Sequence, residues 1–128
     1  MPFLTDATFA KHKIDEAFNI DHGKAESLRD RYHGFHKRAA HHNWHGGDGI
    51  QVLPIDDTGR LITVVFTSSL DVEQETFEEQ VRRLKTALAS MLAEGEECHL
   101  FIDEHPQVDQ QTRTVSYTAK GFIEKAAK

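Results

Sequence analysis

The chain has 128 residues, of which 38% are hydrophobic and 28% charged, with a formal net charge of −6. That length suits one domain able to bury a core without disulfides. The composition excludes wholesale disorder, and the acidic balance argues against a general nucleic-acid binder.

The segment TDATFAKHKIDEAFNID reads as a first helix. Ala7, Ala10, Ile14 and Phe18 fall on one face with Ala17, and Thr5 or Asp6 caps the start. Asn19 to Gly23 is the break. A second helix is expected from about Lys24 to His42, with Asp21 as an upstream cap. Its stripe is Ala25, Leu28, Tyr32, Phe35 and Ala39, at 3–4–3–4 spacing. Gly34 lies inside it and costs about 1 kcal/mol against alanine, which a close helix contact would explain. Gly46, Gly47 and Gly49 end the helix and open a loop.

Two strands follow, GIQVLPID and RLITVVFTS, joined through Asp56, Asp57, Thr58 and Gly59 as a hairpin. Pro54 lacks an amide donor, so the first of them is expected at an edge. The second is apolar on both faces, with Leu61 and Val65 on one and Ile62, Val64 and Phe66 on the other. It should be central and covered on both sides.

The third helix carries Phe77, Val81, Leu84, Leu88 and Met91 in one stripe. Asp71 stands three residues before Gln74 in a capping-box pattern, and Gly95 ends the helix. Two more strands, ECHLFIDEH and QTRTVSYTA, flank a polar loop around Pro106 to Gln110. The tail GFIEKAAK extends the last strand or forms a final helical turn.

The order α-α-β-β-α-β-β defines one α+β domain. It divides into a helical part (1–45), a hairpin–helix–hairpin core (49–119) and a tail (120–128). A four-stranded, mainly antiparallel sheet is expected against one long helix. The N-terminal helices, or a partner subunit, should cover the other face.

Five of the nine histidines fall in YHGFHKRAAHHNWHGGDG: His33, His36, His41, His42 and His45. On a helix, His41 and His45 stand at i, i+4 and could face one ion. The strand HLFIDEHP puts His99, Asp103 and His105 on one face, with Asp103 and His105 roughly 7 Å apart at their base. Together these five residues make a candidate metal set, since imidazole suits zinc and related ions. A catalytic zinc wants three protein ligands, so the two segments must converge.

The plainer reading puts Lys37, Arg38, His41 and His42 at a helix C-terminus, where positive groups meet the negative dipole end. Trp44 then packs the helix end against the sheet. A third reading is a pH switch, because protonating nine histidines moves the charge from −6 to +3. Cys98 reads as a core thiol, with no neighbouring basic pair to activate it. A single cysteine also fits a reducing compartment.

Phosphate-loop and nucleophile-elbow contexts are absent: GGDGI follows a helix, and Ser68 and Ser69 lack flanking glycines. No apolar run approaches the roughly 20 residues that span a bilayer. MPFLTDATFAKHK has no signal-peptide order, so a soluble cytoplasmic protein without membrane partners is expected.

Residues 24–45 carry +3 before histidines, leaving −9 for the rest. Arg31, Lys37, Arg38 and Trp44 are therefore candidate partner-binding residues on an electrically two-sided molecule. The leading functional expectation is a non-enzymatic binding or regulatory protein that contacts other proteins and itself, with no cofactor. The alternatives are a histidine-based metal protein holding an ion such as zinc, and a ring-forming assembly protein of a phage or secretion apparatus.

Overall fold

The computed structural model describes residues 4–38, 43–47, 49–56, 59–102 and 106–126. Among these are three α-helices and a six-stranded antiparallel sheet. The helices are α1 (Ala7–Phe18), α2 (Ala25–Arg38) and α3 (Gln74–Ser90). The strands are β1 (His45–Gly47), β2 (Ile50–Asp56), β3 (Gly59–Ser69), β4 (Glu96–Phe101), β5 (Gln107–Asp109) and β6 (Thr114–Lys125). The sheet runs β1-β2-β3-β6-β4, with β5 also on β6.

Four of these strands are the expected ones. β1 and β5 are additional, and each has only three residues. So short a strand shows no alternation to read, and β5 lies inside the polar turn after Pro106. The tail continues the last strand, so that β6 runs to Lys125. β3 is central as expected, pairing with β2 on one side and β6 on the other. β2 is not the outermost strand, because β1 adds to it from His45↔Val52 to Gly47↔Ile50. Pro54 lies beyond that short overlap, on the part of β2 with no outer neighbour among the described residues. The missing donor is harmless there.

Alternation along β3 and β6 makes two cores. Ile62, Val64, Phe66, Val115, Tyr117 and Ile123 face one way and meet Phe77, Val81, Leu84 and Leu88 of α3. Each such fully buried side chain contributes about 1.5–3 kcal/mol. Phe77 meets Phe66 edge-on at 4.9 Å and Phe9 of α1 at 5.9 Å. Leu61 and Phe122 face the other way, with Leu53, Ile55, Phe101 and Tyr32 of α2.

The two N-terminal helices therefore part company, where one shared face was expected. α1 lies beside α3, buries Ala10 and Ile14 in the first core and ties Lys13 to Glu78 at 3.0 Å. Among the described residues, α2 and Trp44 cover the second face.

Local ends also differ from the sequence patterns. Asp6 caps α1, accepting from the Phe9 N–H at 2.8 Å. Asp21 caps a single 3₁₀ turn (His22–Lys24) ahead of α2. Asp71 does not cap α3: Glu73 holds that position without a side-chain bond, while Asp71 accepts from Arg113 Nε at 2.9 Å. The expected second helix ended at His42, but residues 39–42 lie outside the described residues. Gly34 makes no close helix contact, since a Cβ built on it meets nothing within 4 Å.

Two interactions fix the sheet's far end. Arg60 of β3 donates to both Glu96 carboxylate oxygens at 3.0 Å and to the Met91 carbonyl at 2.8 Å. Glu96 Oε1 also accepts from the Ala93 N–H at 2.8 Å, so one carboxylate closes the turn between α3 and β4. Gly121 of β6 admits the His99 carbonyl oxygen to within 1.9 Å of where a Cβ would stand.

No helix among the described residues is long and apolar enough to cross a membrane.

These features give two expectations. Gly121→Ala must displace the β4 backbone and should cost about 3 kcal/mol in urea unfolding, while Gly34→Ala should gain about 1 kcal/mol. A neutral Gly121→Ala would refute the close approach. The Ala93 N–H, and then Arg60, hold the Glu96 carboxyl below its ordinary range. A depressed carboxylate stabilises above its unfolded pKa, and the contribution is lost as pH falls through the folded value. Glu96→Gln should therefore lower the melting temperature at neutral pH and narrow its gap to wild type in acid. A gap independent of pH would remove the carboxylate's role.

Candidate functional site

The sequence brought five metal candidates together; the fold sets the described ones apart. His41, Asp103 and His105 lie outside the described residues. His45 is on β1 and His99 on β4, at opposite edges of the sheet. Four strand spacings separate them, about 19 Å. They also point to opposite faces. His45 pairs with Val52, which pairs with Ile62 of the α3 core, whereas His99 pairs with Phe122 of the α2 core. Among the described residues, no group of three His, Cys, Asp or Glu side chains could hold a metal ion.

His99 has another setting. Glu97 of β4 and Glu124 of β6 are directly opposite each other in register. Two carboxylates so placed repel. His99 Nε2 lies 3.3 Å from Glu124 and 3.5 Å from Glu97, near enough for attraction but outside hydrogen-bond geometry. Arg31 of α2 pairs with Glu124 and lies over the Phe122 ring, 4.5 Å from its centroid. Arg31 thus serves to dock α2 on the sheet. Sequence reasoning missed this group because Glu124 lies in the tail and meets Glu97 only through the β4–β6 register.

The other partner-binding candidates divide similarly. Trp44 is half-buried against the second core, as expected of an anchor. Lys37 and Arg38 are exposed in the last turn of α2, with Arg38 over the Phe35 ring at 5.3 Å. The outer face of α2 runs through Asp30, Gly34 and Lys37, all exposed.

On the opposite side of the molecule, α3 begins with exposed Glu73 and Glu75, close to exposed Asp6. Leu4 bridges to Glu73 there and is 54% exposed. Cationic side chains thus gather at the end of α2 and carboxylates at the start of α3, while Glu26 and Asp30 on α2 and Arg82, Arg83 and Lys85 farther along α3 are exposed as well.

Two further features escaped the sequence. α2 covers only part of its sheet face, and beyond it Gln51, Val65, Thr67 and Thr118 are exposed. Thr67 Oγ1 and Ser116 Oγ meet across this bare end at 3.2 Å. At its border is an open groove of about 750 Å³, lined by Gly47, Gly49, Gln51, Val65, Thr67 and Leu84 among others. Gly49, at φ +89°, turns β1 into β2, and its carbonyl accepts the Val65 N–H at 2.6 Å. β2 stops there, so the next outward-facing backbone groups of β3, at Thr67, have no strand beside them among the described residues.

On the far side Asp15 joins two partners. It accepts from Tyr117 Oη at 3.3 Å, and its second oxygen lies 2.8 Å from His22 Nε2. Burial, and then the Asp15 charge, push the Tyr117 phenol up, so it stays a neutral donor. This chain of contacts ties α1 to the sheet and to the 3₁₀ turn.

No protein-family model and no curated protein matches this chain.

Cys98 packs against the α3 core, and burial pushes its thiol up to about 12. At pH 8 the folded protein should hold about a thousandfold less thiolate than the unfolded chain. A disulfide reagent should therefore label Cys98 slowly in buffer and fast in urea. Equal rates would show that the thiol is accessible and unperturbed.

Proposed function

We propose that this chain is a small non-enzymatic binding or regulatory protein that acts through protein–protein contact and associates with itself. The observation that carries the reading is a pair of local charge clusters, one at the end of α2 and one at the start of α3. Lys37 and Arg38 are exposed on the α2 side, and Asp6, Glu73 and Glu75 on the α3 side. Local clusters of opposite sign steer encounter and favour one orientation over its reverse. No cofactor enters this reading, and the cytoplasm, where a lone cysteine stays reduced, suits it.

The open edge of β3 favours a second reading, a ring-forming assembly protein built by sheet extension. The segment Phe66–Ser69 carries no proline, lysine or bulge, the usual devices that blunt an edge. It borders the groove described above. In this case Thr67→Pro would cap the edge and stop assembly without unfolding the monomer.

Sedimentation velocity from about 5 to about 500 μM tests the first reading. Mass above the 14.5 kDa chain should appear with concentration at about 50 mM salt and fade at about 0.5 M. Lys37→Glu with Arg38→Glu should abolish it. A monomer throughout would remove self-association, and a salt-independent oligomer would favour the strand-edge reading.

A further inference from the structure

Building on the self-association just proposed, we infer that copies of this chain dock head to tail, with Leu4 of one copy seated at Gly34 of the next. Leu4 is the most exposed large hydrophobic among the described residues, at 54%. It is held in place: it bridges to Glu73, and the next residue's N–H donates to the Val72 carbonyl at 2.9 Å. Its rim is acidic, with Asp6, Glu73 and Glu75 all exposed.

Gly34 offers the complement. It lies mid-helix on the outer face of α2, and a Cβ built there meets nothing within 4 Å. A glycine in a helix interior is costly, and no contact within the described residues explains this one. It leaves a shallow dent in the helix surface that admits an apolar knob close to the backbone. Lys37 and Arg38 rim the dent, with Asp30 as the acidic residue on that face. An apolar side chain with an acidic rim thus stands against an open site whose rim is mainly cationic.

They lie on opposite faces of the sheet, since α2 covers one and α1 with α3 the other. Two copies therefore cannot exchange both contacts across one two-fold axis. The contact is heterologous, so it grows into a chain, or closes into a ring if the rotation allows.

Leu4→Ser and Gly34→Gln, each in the full chain, test this by sedimentation velocity, with thermal melts to confirm folding. Both positions are exposed, and Gly34→Gln improves helix propensity, so both variants should melt near or above wild type. Each alone should associate at least about tenfold more weakly than wild type. Mixed, they should form a one-to-one dimer that grows no further, because the pair retains one intact knob and one intact dent.

Variants that associate like wild type, or a mixture that stays monomeric, would overturn the geometry and leave self-association standing. A wild type that is monomeric throughout would overturn both.

Discussion

Everything in this fold hangs on the full-length pairing of β3 with β6, from Gly59↔Glu124 to Ser69↔Thr114. Among the described residues it is the longest pairing in the sheet. β2 holds one end of β3, and β4 and β5 hold successive parts of β6. Because the two long strands are apolar on alternating faces, their pairing creates two hydrophobic surfaces at once. Each then needs a helical cover, and the burial it gains must offset the entropy of ordering the chain.

The two covers are unequal. On one face α1 and α3 lie side by side, joined by Phe9, Phe77 and Phe66. On the other, among the described residues, α2 and Trp44 cover the end around Leu61, Phe101 and Phe122, and the remaining face is hydroxyl-rich. Threonine and serine there tolerate water while keeping strand geometry, so the sheet continues past the helix with Val65 as its exposed apolar side chain.

Much of the fold was legible because its signals are local. The stripe of α3, the double-sided apolar pattern of β3 and the helical spacing of α1 and α2 each follow from residues a few positions apart. The choice of sheet face for α1 was not legible, since an amphipathic helix shows that it has a partner but not which one. β1 and β5 are too short to carry a period. The candidate site suffered most. His45 and His99 looked combinable in one dimension, yet register sends one to each face and strand order sends them to opposite edges. Arg31 looked like a free cation because its partner, Glu124, is distant in sequence. What the fold does show is packing: Trp44 against the α2 core and Cys98 against the α3 core.

The same spine has a consequence for the order in which the molecule is made. β6 lies after every strand it joins, so residues 114–125 leave the ribosome last among the sheet's parts. Until then β3 can pair only with β2, and β4 has no neighbour at all. The nascent chain holds two apolar faces open while α3 is already complete. Contacts so distant in sequence close slowly. The chain therefore passes through a stage in which β3, apolar on both faces, is unpaired along the edge that β6 later fills, the kind of transient edge that makes a folding species prone to aggregate.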